Sequence, residues 1–163
     1  MILKAANEGG GDFLTFNGKQ VAWYKANGNI LDVYNGVSGM IGFQNPKYTN
    51  LKNKGPIPEG GYSIDLTLDP NRTAKIADKQ GKLVDNYGIE KIPEGHLASN
   101  PWGHMRARLM PLKGTNTFGR TGFYFHDSIK GFTHGCIEVD SFFFDRLLEY
   151  QKSHSSINLY VTY

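Results

Sequence analysis

A cysteine and two histidines lie close together in the second half of the chain. Cys136 is the only cysteine, and His126 and His134 precede it. A thiolate nucleophile requires at least a cysteine with a histidine beside it, because an imidazolium lowers the pKa of the thiol and the thiolate is the reactive form. The residue types therefore indicate covalent catalysis by Cys136.

The residues around this group predict the elements that position it. The aromatic run at 123–125 is typical of a buried strand, and His126 ends it. The polar loop at 128–132 is long enough to fold back and bring Cys136 to His126. Gly135 removes side-chain bulk before the cysteine, which lets the backbone N–H groups of 134–136 face one point, as an oxyanion hole requires.

Two other interpretations of these residues stay open. A single cysteine is most often a small buried hydrophobe, and a histidine beside phenylalanines is usually structural. A zinc site has weaker support, because His126, His134 and Cys136 are only three ligands, without a CxxC motif or an HxxxH pair.

The stretch Thr133-His134-Gly135-Cys136 resembles the Ser/Thr-His-Gly-Cys signature of L,D-transpeptidases, the YkuD-like enzymes of bacterial cell walls. In that family an upstream histidine is the base, and His126 matches it. The short gap between His126 and Cys136 resembles the toxin-like branch that is delivered by type VI secretion. Further stretches that resemble this branch lie at 14–19, 36–39, 55–62 and 102–103.

One residue departs from the pattern of the housekeeping L,D-transpeptidases. They usually carry arginine two residues after the cysteine, and this chain has Glu138 there. Any substrate contact that the arginine makes in those enzymes therefore has no counterpart here.

The resemblance implies a fold and an activity. The fold is mainly β, an L,D-transpeptidase-like β-sandwich with one principal helix after the catalytic cysteine. The activity is that of an L,D-carboxypeptidase or L,D-transpeptidase on tetrapeptide stems of peptidoglycan, at the bond between meso-diaminopimelate and D-alanine. A D-amino acid can serve as acceptor, and neither a metal nor an organic cofactor is needed.

The resemblance also assigns roles to residues. Cys136 is the nucleophile, His126 is its base, and Asp127 orients His126 through its side chain or its backbone carbonyl. The loop residues His134 and Gly135 supply the oxyanion hole. Two residues are predicted to bind substrate, and these are Arg120, as a partner of a carboxylate, and Thr133.

The pattern along the rest of the chain predicts short strands, one helix and an insertion. The 163 residues predict a single catalytic domain over 1–163, in which 1–12 is a flexible N-terminal segment. An Asn-Gly turn predicts a hairpin near the N-terminus. Arg106 and Arg108 share one face of a predicted strand, from which they could grip a carboxylate. Further predicted elements are a helix at 142–152, a closing strand at 157–163, and an insertion at 69–95 with a short helix at 73–78.

Composition and charge limit the partners. The net charge is +3, and no dense run of lysine and arginine occurs, so we expect no nucleic acid partner. No apolar segment reaches the length of a membrane span, and the N-terminal residues lack the apolar stretch of a signal peptide. Together with the resemblance, this predicts a protein secreted without a signal peptide that acts in the periplasm of a target bacterium. Its producer should then hold a cognate immunity protein.

Two other functions remain as alternatives, one non-catalytic and one enzymatic. The first is a non-catalytic β-domain that binds glycan or peptide, which would suit the aromatic content and Glu138. The second is a Cys-His amidase or protease of other specificity.

Overall fold

The computed structural model describes residues 10–67, 75–77, 83–85, 89–91 and 103–163, and this part of the chain is mainly β. It contains one α-helix, α1 (Phe142–Gln151), and one 3-10 helix at Pro46–Tyr48. The strands are β1 (Phe13–Phe16), β2 (Gln20–Tyr24), β3 (Ile30–Ser38), β4 (Gly60–Asp65), β5 (Lys75–Ala77), β6 (Leu83–Asp85), β7 (Ile89–Lys91), β8 (Met105–Pro111), β9 (Phe123–His126), β10 (Ile137–Val139) and β11 (Ser156–Val161).

Nine of these strands form one sheet that closes on itself. The strand order is β4-β11-β1-β2-β3-β10-β9-β8-β7, and β4 also pairs with β8 through Ser63 and Met110. The closure leaves the apolar side chains of opposite walls facing one another across a shared core. The prediction of a mainly β fold with one principal helix after Cys136 is confirmed.

The hairpin of β1 and β2 forms as its turn residues predict. The side chain of Asn17 accepts hydrogen bonds from the backbone N–H groups of Lys19, at 3.0 Å, and Gln20, at 2.8 Å. Gly18 has a φ of 94°, a left-handed conformation that glycine adopts without steric cost. The turn thereby fixes the register of β1 and β2 at the start of the sheet.

Helix α1 packs against the inner side of the sheet, on the strands near the His126–Cys136 region. Phe143 is fully buried, and its ring centroid lies 4.6 Å from that of Phe125, 5.5 Å from that of Tyr34 and 6.1 Å from that of Trp23. These contacts join the helix to β9, β3 and β2. The apolar face of α1 therefore supports the strands whose opposite face carries His126.

Two predictions about local structure have different outcomes. The prediction of a short helix at 73–78 is wrong at residues 75–77, because these residues form β5 and pair with β6. Pairing with a neighbouring strand outweighs weak local helix propensity there. Most of the segment at 1–12, and most of the insertion at 69–95, lie outside the described residues.

The described residues contain no helix of the length and apolar character needed to cross a membrane.

The aromatic contacts of α1 predict a large difference between two adjacent phenylalanines. Phe143→Ala should lower the free energy of unfolding by about 3–5 kcal/mol, because it empties a site lined by four aromatic rings. Phe142→Ala is the matched control, since its side chain is 70% exposed, and it should change stability by less than about 0.5 kcal/mol. Urea denaturation of both variants measures this difference, and equal losses would contradict the packing role of Phe143.

Candidate active site

Strands β9 and β10 run side by side and bring the motif residues together. Their parallel register pairs Phe125 with Ile137 and His126 with Glu138. Phe125 and Ile137 are fully buried in the core, so His126 and Glu138 extend from the opposite face of the sheet. Cys136 directly precedes β10 and is 8% exposed. The predicted approach of the cysteine loop to the strand that ends in His126 is thus produced by parallel pairing.

The thiol of Cys136 lies in a largely dry environment. Its Sγ lies 3.6 Å from the carbonyl oxygen of Gly122. Burial raises the pKa of the thiol to about 11, against smaller opposing effects from the backbone of Tyr124 and from the charges of Lys130 and two arginines. The thiol is therefore protonated at neutral pH in the free protein.

The imidazole of His126 is also neutral at this pH. The side chain is 1% exposed, and burial, followed by the charge of Lys130, lowers its pKa to about 3. The same lysine charge affects both His126 and Cys136, which is consistent with their position around one site. The resting pair is thus a thiol and a neutral base. The expected thiolate–imidazolium pair would have to form when substrate binds.

A serine and a glutamate form a buried hydrogen-bonded chain with His126. The Oγ atom of Ser128 lies 2.9 Å from Nδ1 of His126, and it also makes a very short hydrogen bond to Oε2 of Glu138. Glu138 accepts two further hydrogen bonds, from the backbone N–H of Lys130 at 2.9 Å and of Gly131 at 2.8 Å. Ser128 and Glu138 are 6% and 7% exposed, so these hydrogen bonds are shielded from water.

Sequence reasoning did not assign a role to Ser128 or to Glu138. A signal for Glu138 was present, because it lies two residues after Cys136 and alternate residues of a strand share a face. Ser128 lies in a loop, where residue spacing does not indicate which way a side chain points. Its contact with His126 therefore has no comparable signal in the sequence.

The carboxylate of Asp127 is directed towards β8. Its Oδ1 accepts hydrogen bonds from the backbone N–H of His104, at 2.6 Å, and of Met105, at 3.0 Å. A side chain on Gly103 would collide with this carboxylate, so the approach is close. These contacts support a role for Asp127 in anchoring the start of β8. Its role in orienting His126 stays a prediction.

Thr133 clamps the loop that carries the cysteine. It is fully buried, and its Oγ1 donates to the carbonyl of Cys136 at 2.5 Å. The same oxygen accepts from the backbone N–H of Gly135, at 3.1 Å, and of Gly39, at 3.0 Å. The N–H of Gly135 is thereby committed within the loop. These contacts support a structural role for Thr133, and its predicted contact with substrate stays untested.

Arg120 holds the neighbouring loop from inside the protein. Its guanidinium donates to three backbone carbonyls, at 2.5 Å to Thr49, 2.7 Å to Pro56 and 2.9 Å to Gly55. It is 4% exposed, and burial lowers its pKa. A side chain on Gly135 would collide with this guanidinium, which explains the glycine there. The contacts favour a structural role, and the predicted binding of a substrate carboxylate stays a prediction.

A small cavity lies next to the loop residues that directly precede Cys136. Its volume is about 70 Å³, and Lys52, Asn53, Gly122 and His134 are among the residues that line it. Gly122 is the residue whose carbonyl contacts Cys136. The ring of His134 is exposed, and its Nδ1 lies 2.9 Å from the carbonyl oxygen of Asn53. Lys52 was not singled out in the sequence, because its polar loop resembles any solvated surface segment.

Arg106 and Arg108 lie on the same face of the sheet as the candidate site. The register of β8 with β9 pairs Arg106 with His126 and Arg108 with Tyr124. The guanidinium of Arg106 lies 4.9 Å from the centroid of the Tyr124 ring. Both arginines share one face, as the alternation predicts. The residues that the structure describes contain no group of three or more His, Cys, Asp or Glu arranged to hold a metal ion.

A closed, mainly β sheet that holds a buried cysteine beside a buried histidine defines a candidate cysteine acyl-transfer domain. Residues 29–159 match the family model of the Tlde1 domain. The chain therefore belongs to the Tlde1 domain family, the L,D-transpeptidase effectors of type VI secretion, and the resemblance expected from the sequence is confirmed.

Comparison with individual proteins shows similarity to a solved structure. No curated protein matches the sequence. Among solved structures, L,D-transpeptidase 1 of Mycobacterium tuberculosis is similar, with 16% sequence identity and a TM-score of 0.42. The similarity covers 93% of this chain and 62% of that one, so the chain spans less than two thirds of the length of that structure.

The electrostatics of the site predict how the thiol of the free protein reacts. Alkylation of Cys136 by iodoacetamide should be slow at pH 7 and should accelerate with pH up to about pH 11, where the buried thiol ionises. Mass spectrometry of the modified peptide against pH measures this profile. A rate that is already constant below pH 8 would show a preformed thiolate and would contradict the neutral resting pair.

Proposed function

We propose that this protein is a peptidoglycan-modifying cysteine enzyme that cleaves tetrapeptide stems between meso-diaminopimelate and D-alanine. One observation carries the proposal. In a chain of the type VI L,D-transpeptidase effector family, a buried neutral imidazole ends β9, and a buried thiol directly precedes the neighbouring parallel strand β10. A neutral imidazole can accept a proton, and a thiol that gives it up becomes the nucleophile.

In the first step, the sulfur of Cys136 attacks the carbonyl carbon of the meso-diaminopimelate residue. The thiol proton passes to His126 as the S–C bond forms, and the carbonyl electrons move onto oxygen. The tetrahedral intermediate then collapses, the C–N bond breaks, and His126 returns the proton to the leaving amine of D-alanine. The product is a thioester on Cys136.

The second step decides which product forms. If water attacks the thioester, His126 takes a proton from the water, the S–C bond breaks, and the leaving sulfur of Cys136 recovers the proton from His126. The stem is then released as a tripeptide, which is L,D-carboxypeptidase activity. If the amine of a D-amino acid attacks, the terminal residue is exchanged or a crosslink forms. Because both outcomes share the first step, loss of Cys136 should abolish both.

The charge around the site supports a substrate that carries carboxylates. Arg106 lies across from His126 on β8, Lys130 lies in the loop between His126 and Cys136, and Lys52 lines the adjacent cavity. The stem tetrapeptide ends in a carboxylate close to the scissile bond, so positive charge on several sides favours its approach. Lys52 is the exposed candidate for this contact, since the guanidinium of Arg120 is occupied by backbone carbonyls.

Purified sacculi and muropeptides test the reaction. The protein should convert tetrapeptide stems to tripeptides, and Cys136→Ala should abolish this conversion while changing stability by only about 1–2 kcal/mol. His126→Ala should lose activity by about 100-fold or more, as expected for a general base. His134→Ala is the matched comparison, since its ring is exposed, and it should lose much less.

Other products would indicate the alternative functions. A Cys136→Ala protein that still trims tetrapeptides would end the assignment of the nucleophile. Binding to sacculi without any cleavage would favour the glycan- or peptide-binding domain, and cleavage at another bond would favour an amidase or protease.

The biological role within this proposal is that of an antibacterial effector that acts in the periplasm of a neighbouring cell. Trimmed stems can no longer serve as donors for L,D-crosslinks, which weakens the wall. Because the wall lies outside the inner membrane, this damage requires the enzyme to be in the periplasm. A producer of such an enzyme would need an immunity protein that blocks the groove at Cys136. An acidic surface on that partner would complement the net charge of +3.

Directed export tests this role. In a Gram-negative host, the chain with an added export signal should inhibit growth, and the same chain without the signal should not. Exported Cys136→Ala should be harmless, which separates catalysis from the burden of export. Equal toxicity from both locations, or harmless export of an enzyme that is active on muropeptides, would contradict the effector role.

A further inference from the structure

We propose that Ser128 and Glu138 form a relay that sets the tautomer of His126, so that Nδ1 carries the proton and Nε2 is the base. This inference deepens the proposed function and rests on it for the catalytic consequence. Ser128 and Glu138 are positioning residues in this scheme, because they act on substrate only through His126.

The relay begins at the carboxylate of Glu138. Three donors converge on its two oxygens, namely the hydroxyl of Ser128 and the backbone N–H groups of Lys130 and Gly131. A backbone N–H can only donate, and an ionised carboxylate can only accept. The single hydroxyl proton of Ser128 is therefore directed towards Glu138.

The direction of that proton determines the next hydrogen bond. With its proton given to Glu138, the Oγ of Ser128 can only accept from Nδ1 of His126, which lies 2.9 Å away. Nδ1 must then carry a hydrogen. A neutral imidazole has one ring proton, and burial keeps His126 neutral at pH 7 by lowering its pKa to about 3. The second nitrogen, Nε2, consequently holds the basic lone pair.

The fixed tautomer has two consequences for the reaction. In the opposite tautomer Nε2 would carry a hydrogen and could not take the thiol proton of Cys136. When His126 does take that proton, the imidazolium keeps its Nδ1–H bond to Ser128. The negative charge of Glu138 then lies one hydroxyl away and offsets the unfavourable charge of Lys130.

The strand geometry explains why glutamate can do this. Glu138 pairs with His126 in the parallel register of β9 and β10, and Cys136 lies two residues before Glu138 on the same segment. One short stretch of chain therefore carries both the nucleophile and the anchor of its base. The two loop N–H groups that Glu138 holds also keep Ser128 in place, since Lys130 and Gly131 follow it closely.

The wild-type protein gives the first test, which needs neither substrate nor a variant. With ¹⁵N-labelled histidine, the ring nitrogens of His126 should show a protonated Nδ1 and an unprotonated Nε2 at pH 7, assigned by comparison with His126→Gln. A protonated Nε2 in the wild-type protein would overturn the proposal. Because this spectrum is independent of turnover, it separates failure of the relay from failure of the proposed function.

Variants of Ser128 give the second test. Ser128→Ala keeps the bonds of Glu138 to the loop and removes only the hydroxyl, so Nε2 should gain proton occupancy. On muropeptides kcat should fall by about 100-fold, with KM within about threefold of the wild-type value. Ser128→Thr restores a hydroxyl and should recover most of the spectrum and of kcat. Ser63→Ala, a half-buried serine on β4, is the matched control and should change neither.

Glu138→Gln tests the other end of the relay. The side-chain amide of glutamine accepts through its oxygen and donates through its NH2 group. If the NH2 group donates to Ser128, the hydroxyl of Ser128 can turn towards Nδ1 of His126 and reverse the tautomer. We expect a protonated Nε2 and a loss of kcat similar to that of Ser128→Ala. Retention of the Nδ1 proton and of kcat within about threefold in both variants would show that the two residues are merely structural and would overturn the proposal.

Discussion

The parallel pairing of β9 with β10 is the interaction on which the candidate site depends. It aligns His126 with Glu138 and brings the residue before β10, Cys136, to the same face. Parallel neighbours require a crossover connection, and here that connection is the loop at 127–136. This loop therefore has to be compact and internally bonded. Thr133 and Glu138 satisfy that requirement by taking its backbone N–H groups.

The buried polar side chains around this pairing are stable because each has partners. Burying a charged or polar group without hydrogen bonds costs several kcal/mol, which is a large fraction of the free energy of unfolding of a typical domain. Arg120 meets three carbonyls, and Glu138 meets three donors. Their partners belong to the loops at 49–56 and 128–131, so the same bonds that offset burial also shape the surroundings of Cys136.

Burial also sets the resting state of the reactive pair. It raises the pKa of Cys136 and lowers that of His126, so both shifts favour the uncharged forms. A neutral thiol is protected against oxidation and alkylation, because both reactions need the thiolate. In the reaction that we propose, proton transfer from Cys136 to His126 takes place in the step with substrate.

The sequence by itself determined the class of fold, the positions of most elements and the family. Local signals sufficed for these features: Asn17-Gly18 forms its turn, alternation identifies β8, and the apolar stripe identifies α1. The Thr133-His134-Gly135-Cys136 motif and the spacing to His126 likewise identified the Tlde1 family. Each of these signals lies within a short stretch of chain, which is why it can be read without coordinates.

Only the tertiary structure decided what the individual polar side chains contact. The structure shows that Arg120 and Thr133 hold loops that are distant in sequence, through Thr49 and Gly39 respectively, and their contact with substrate stays a prediction. The side chain of Asp127 bonds to the start of β8, and Ser128 contacts the imidazole of His126, while the predicted orienting role of Asp127 stays untested. Glu138 appeared only as a departure from a motif. Hydrogen-bond partners depend on which loops meet in space, and that is decided by the closure of the sheet rather than by the residues on either side.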